Sequence, residues 1–124
     1  MINRLSQNID FHSQALVLRS ERQRLIASNI ANADTPGYVA RDFDFAKALR
    51  EATSGGGASG ASRRAGAMLR YAAPAQTNLD GNSVDMDRER AAFADNTVKY
   101  EATLRFITRS MRTMMDAMKG HNAG

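Results

Sequence analysis

A chain of 124 residues, with 17 Lys+Arg against 13 Asp+Glu, has a formal net charge of +4 and room for one ordinary domain. It has no cysteine, which excludes disulfides, thiolate metal sites and thiol nucleophiles. No apolar run approaches the ~18 residues that cross a bilayer, and the start of the chain lacks the basic-then-apolar pattern of a cleaved signal peptide.

From Ile2 to about Ala31 the apolar residues Ile2, Leu5, Ile9, Leu16, Ile26 and Ile30 recur in three- and four-residue steps. No Gly or Pro interrupts them, which predicts one long helix. His12, Arg19 and Gln23 interrupt the seam, and Ala15, Leu18 and Leu25 widen it. Phe11, Val17 and Leu25 fall on outer faces that need cover from other subunits.

The helix should break where Asn32-Ala33-Asp34-Thr35-Pro36-Gly37 begins. Proline biases Thr35 away from helical angles, and Pro-Gly suits the central pair of a type II turn with Gly37 at positive φ. Tyr38 to Asp42 then reads as extended, and Asp44 is placed to cap a short helix from Phe45 to about Ala52. Residues 53–82, with the run Ser54-Gly55-Gly56-Gly57-Ala58-Ser59-Gly60, have linker composition and are expected to be flexible, with weak strand signals near Met68–Tyr71.

The last segment carries the firmest pattern: Phe93, Thr97, Tyr100, Leu104, Ile107, Met111, Met114 and Met118 keep four-three spacing, a coiled-coil seam. Asp85 or Asp87 suits the helix start, and Gly120 is expected to end it. The fold class is therefore mainly α. Two long terminal helices pair, parallel or antiparallel, as a coiled coil or hairpin around a Gly/Ser/Ala-rich middle. The divisions are 1–33 for the first helix, 34–52 for the turn, extended segment and short helix, 53–82 for the middle, and 83–124 for the last helix and tail. The two ends form one structural domain.

Chemistry is sparse. His12 lies on the first seam, read as a half-buried group hydrogen-bonding across it, and His121 sits in the tail. Neither has a ligand or carboxylate at helical spacing, so no metal or cofactor is expected. Asp42 and Asp44 alternate with Phe43 and Phe45 and form at most a lone carboxylate pair. The glycines at 55–57 lack the Lys-Ser/Thr of a phosphate loop. No nucleophile has a base, so no catalytic site and no enzyme activity are expected. Apart from Arg63-Arg64 the cations are interspersed with acids, which argues against a nucleic-acid partner.

The segment Leu25-Ile-Ala-Ser-Asn-Ile-Ala-Asn-Ala-Asp-Thr-Pro-Gly-Tyr-Val-Ala-Arg-Asp-Phe-Asp-Phe45 closely resembles the N-terminal signature of the flagellar basal-body rod family, which includes rod, hook and hook-associated proteins. Gly81-Asn-Ser-Val-Asp-Met-Asp-Arg-Glu89, then Ala94-Asp-Asn-Thr97 and Tyr100, resembles that family's run into its last helix. Carried over residue by residue, Asn29, Asn32, Thr35, Pro36, Gly37 and Tyr38 match the signature turn, and Asn82, Val84 and Asp85 match the approach to the last helix.

The resemblance implies a structural subunit of the rod. It would be exported through the flagellar type III apparatus without cleavage and would assemble in the periplasm onto the MS-ring and its rod adaptor, beside other rod subunits. The short length favours a proximal rod subunit. The seams Leu5, Ile9, Leu16, Ile26 and Ile30, and Phe93 to Met118 above, would be its packing surfaces. A helical adaptor or secretion chaperone that binds one partner stoichiometrically is the alternative, and a basic nucleic-acid binder comes third.

Overall fold

The structure is a computed structural model that describes residues 2–54, 70–71 and 81–123. Helix α1 is Ile2–Ala31, strand β1 is Arg41–Asp42, helix α2 is Phe45–Thr53, strand β2 is Arg70–Tyr71 and helix α3 is Met86–Ala123. The linker glycines and the Arg63-Arg64 pair lie outside the described residues.

Local chemistry sets most of the boundaries. Thr35 O accepts from Tyr38 N at 3.2 Å, and Gly37 has φ +75°, closing the expected turn. The Asp44 carboxylate accepts from Lys47 N at 3.1 Å and caps α2. Asp85 does the same for α3, accepting from Arg88 N at 3.3 Å. Gly120 does not stop α3, which runs on to Ala123. One glycine in an exposed helix interior costs only about 1 kcal/mol, too little to end a helix of this length.

Helices α1 and α3 run antiparallel: Asn29 meets Glu89, Gln23 meets Thr97, and the His12 ring stacks on Phe106 at 4.1 Å. On that register Ile2 faces about position 116, so the end of α3 overruns α1 by roughly two turns. β1 and β2 form a short antiparallel pair, Arg41 opposite Tyr71 and Asp42 opposite Arg70.

The apolar core is not between the two long helices. It joins α1 to α2 through Leu18, Leu25, Phe43, Ala48 and Ala52, flanked by Val17, Phe45 and Leu49. Arg19 extends this face by lying 4.3 Å over the Phe45 ring. Leu25 is thus buried and Val17 half-buried within the chain, against Phe43 and α2 and not against a neighbour as expected, while Phe11 stays exposed. The alanines of α2 let its backbone approach α1 closely, so one face of α1 is spent on α2.

The face of α1 turned to α3 is correspondingly polar. Asn96 is buried and donates to Arg19 O at 2.9 Å and to Gln23 Oε1 at 2.7 Å, and Gln23 Nε2 donates to Thr97 Oγ1 at 2.7 Å. His12 differs from expectation: its Nδ1 bonds Asn8 O one turn back at 2.8 Å, and it crosses to α3 by ring stacking only.

Stability should follow this division. Leu18→Ala should lower the unfolding free energy by about 2–5 kcal/mol, and Leu104→Ala by less than about 1 kcal/mol. Urea titration followed by helical circular dichroism distinguishes the two. Equal losses would mean that the core lies between the long helices after all.

Candidate functional site

The signature residues converge at one end of the hairpin, where α1 stops, β1 begins and α3 starts. Asn29 is buried in the last turn of α1 and uses its whole carboxamide. Its Oδ1 accepts from Tyr38 Oη and from Arg41 N, both at 3.0 Å. Its Nδ2 donates to Arg41 O at 2.9 Å and to Glu89 Oε2 at 3.3 Å. The side chain therefore clasps the backbone of Arg41 as a neighbouring strand would, and ties it to the first turns of α3. Because the Tyr38 hydroxyl proton goes to Asn29, Ser28 Oγ donates to Tyr38 Oη across 3.4 Å.

Asn82 is the second carboxamide, 0% exposed. Its Nδ2 donates to Asn32 O at 2.8 Å and Thr35 O at 2.7 Å, while its Oδ1 accepts from Val84 N at 2.8 Å. One side chain thus satisfies carbonyls just past the end of α1 from 47 to 50 residues away. Ser83 continues the seam: its N–H donates to Tyr38 O at 3.0 Å and its Oγ accepts from Ala40 N at 2.9 Å. Asn32 Nδ2 bonds Ser28 O at 2.8 Å, and Thr35 Oγ1 donates to Asn32 Oδ1 at 3.1 Å. Gly81 has φ +78°, and a Cβ there would lie 3.7 Å from the Gly37 Cα, so two glycine turns stack back to back.

Glu89 is 7% exposed, and its carboxyl titrates above the ordinary carboxylate value. Burial is the main cause, the Asn29 bond opposes it, and Asp42 adds repulsion. Asp42 is itself bound to Arg22 at 3.3 Å. So Asp42 is a structural ion pair and Asp44 a helix cap; they do not work as a carboxylate pair. Burial, with Arg22 close by, depresses the Arg19 guanidinium. Among the described residues no group of three or more His, Asp or Glu side chains could hold a metal ion, and no helix is long and apolar enough to cross a membrane.

The seam residues fall in two environments. On α1, Ile26 is buried and Leu5, Ile9, Leu16 and Ile30 are half-buried. On α3, Ile107 is buried and Thr97, Tyr100 and Met114 are half-buried, whereas Phe93, Leu104, Met111 and Met118 are 39–54% exposed. The strip of α3 buried against the rest of the chain is Glu89, Asn96, Thr103, Ile107 and Ser110. Asn96, Thr103 and Ser110 each stand one position before a seam residue. Small or hydrogen-bonding side chains and Ile107 thus make the contact, and the other bulky seam residues lie beside it, half open to solvent.

A helical hairpin with a polar-latched turn and an apolar stripe half open along its last helix has the form of a structural helical subunit. Comparison with known proteins agrees. The family described as flagella basal body rod protein matches residues 9–38. The chain is 44% identical over 139 residues to flagellar basal body rod protein FlgB of Salmonella typhimurium, spanning 98% of this chain and 100% of that one. It is 42% identical to FlgB of Proteus mirabilis (96% and 98%) and 41% identical to FlgB of Escherichia coli (98% and 100%). The chain belongs to the flagellar basal body rod protein family.

The junction yields a direct test. Asn82→Ala should cost about 1–3 kcal/mol, because the buried Val84 N–H loses its acceptor while Asn32 O and Thr35 O each lose one of two donors. Asn82→Asp should cost more still, since it sets a carboxylate oxygen against Asn32 O and Thr35 O. Chemical denaturation of both variants checks the order. Near-wild-type stability for either would show the clamp to be dispensable.

Proposed function

We propose that this chain is a structural subunit of the proximal part of the flagellar rod, without catalytic activity, and that it polymerises through its terminal helices. The observation that carries this reading is the half-open apolar stripe Phe93, Leu104, Met111 and Met118 on α3, together with full-length likeness to proteins named as rod components. A stripe that a lone subunit leaves half in water gains burial at about 25 cal/mol per Å² when a neighbour covers it. Repeating one such patch against a different one around an axis produces an open helical assembly. The methionines of the last turns suit contact with several different neighbours, since Met adapts its shape.

In this reading the partners are other rod subunits, the MS-ring and its rod adaptor. Delivery is by the flagellar type III export apparatus without a cleaved signal peptide, and the finished rod stands in the periplasmic space. Asn29, Asn32, Thr35, Pro36, Gly37 and Tyr38 set the angle at which the helices enter the rod, and both seams supply the contacts. The chain connects the MS-ring and adaptor to the rest of the drive shaft.

Replacing the chromosomal copy with a Leu104→Glu, Met111→Glu double variant tests the seam. The purified variant should keep its helix content and melt within a few degrees of wild type, because both positions are exposed. Cells should nonetheless lose motility, with basal bodies arrested before a rod forms, as in a deletion of the chain. Normal motility of the deletion strain would overturn the rod assignment, and normal motility of the double variant alone would overturn the role of the stripe.

A further inference from the structure

The hairpin junction contains one ionisable group whose placement its structural role does not require. Glu89 sits one turn into α3 with its carboxyl turned toward the end of α1, almost wholly out of water. The hydrogen bond it accepts from Asn29 is long, at 3.3 Å, while the other N–H of the same carboxamide goes to Arg41 O at 2.9 Å. The titratable and charged groups facing it are Arg22 from α1, Asp42 from β1 and Arg88 from α3. The Tyr38 hydroxyl is one hydrogen bond further, on Asn29 Oδ1. Arg88 and Arg22 are the cations placed to offset its charge, but Arg88 is exposed to solvent, and Arg22 Nη2 is engaged by Asp42 while its Nε is buried without a partner. A buried carboxylate with a weak donor and a nearby carboxylate holding the shared cation is poorly compensated when ionised.

We propose that Glu89 is a proton-operated latch: protonated, it closes the junction of α1, β1 and α3, and ionised it loosens that junction, so that rising pH opens this end of the subunit first. The proton comes from and returns to solvent. As a carboxylic acid Glu89 still accepts from Asn29 through its carbonyl oxygen, while the burial cost of the charge and the repulsion from Asp42 disappear. As a carboxylate it bears both, and the least costly relief is for the first turns of α3 to lift from α1 and admit water.

The sign is fixed by the direction of the titration. The folded carboxyl is raised above its ordinary value of 4.5. Its favourable contribution is therefore fully present below that value and is lost as pH rises through the higher folded one. The latch is thus closed in acid and loosens as pH rises through the folded value. This property belongs to the isolated subunit and stands or falls independently of the rod reading.

Backbone amide exchange of the purified full-length chain reads it directly. Protection is compared at about pH 4 and about pH 8 after correction for intrinsic exchange rates. Amides at 27–31, 38–42 and 86–92 should lose about fivefold or more protection at the higher pH. Each pH unit by which a carboxyl titrates later in a closed state weakens closure about tenfold above both values. Amides of α2 should not change. Glu89→Gln should hold those segments at the acid-form protection at both pH values, and Asp95→Asn, removing an exposed carboxylate paired with Lys99, should behave as wild type. Junction protection that is equal at both pH values, or a Glu89→Gln chain that keeps the wild-type pH response, overturns the latch. So does a wild-type Glu89 carboxyl carbon, followed by NMR, that titrates at or below 4.5, a measurement that needs no variant.

Discussion

Everything else in the subunit depends on how α1 divides its surface. A single helix must hold α2 on one side and α3 on another, and only one of those contacts can be apolar, because the supply of bulky side chains is small. Leu18 and Leu25 go to Phe43, Ala48 and Ala52, and the contact with α3 is left largely to carboxamides, hydroxyls and one carboxyl, with Ile107 and the His12–Phe106 stack as its apolar part. Buried polar groups without partners cost about 1–3 kcal/mol each, so that second contact is tolerable only in a register that satisfies them. Asn29 does this in full at the junction, and two turns further along Asn96 Nδ2 does it in part, bonding Arg19 O and Gln23 Oε1 while its Oδ1 stays without a partner. The polar interface therefore specifies where the helices sit more than it contributes net stability.

The same division explains why the strongest apolar pattern in the chain is not its core. The seam of α3 would make a good coiled coil with an apolar helix, but α1 offers it none. Turning α3 by about one residue brings Asn96, Thr103 and Ser110 inward, where their small or hydrogen-bonding side chains allow close approach, and leaves Leu104 and Met111 at the edge. Pairing by hydrogen bonds on one strip leaves the neighbouring apolar strip free, so the contacts that shape the subunit do not compete with any contact made along the seam.

What could be read from the residues alone was what is decided within a few positions. The length of α1, the Pro36-Gly37 turn, the caps at Asp44 and Asp85 and the short α2 all rest on local hydrogen bonds and backbone preference. What escaped depends on residues far apart in the chain. The clamp of Asn82 on Asn32 O and Thr35 O spans 47 to 50 positions, and Asn82 itself was marked only by resemblance. Periodicity puts Val17 and Leu25 on outer faces because it finds a stripe without saying which element covers it. Glu89 carried no signal at all: an acidic residue in the first turns of a helix is ordinary, and only its burial against Asn29 and Asp42 sets it apart.

The distribution of strength along the hairpin then follows. At the junction, many directional bonds close a small volume: Asn29, Asn82 and Ser83 bind backbone groups of residues 32–41 that no regular helix would satisfy. Toward the other end, the described contacts thin to a ring stack of His12 on Phe106, and α3 continues past the start of α1 with Met115 and Met118 more than half exposed. Half-burying each of Phe93, Leu104, Met111 and Met118 leaves roughly 1 kcal/mol of unused apolar transfer per side chain, a few kcal/mol along the stripe. That is small beside the stability of a whole domain and large when repeated at every subunit of an assembly. A hairpin held firmly at its turn and left unsatisfied along its stem has its geometry set internally and its remaining free energy available only through neighbours.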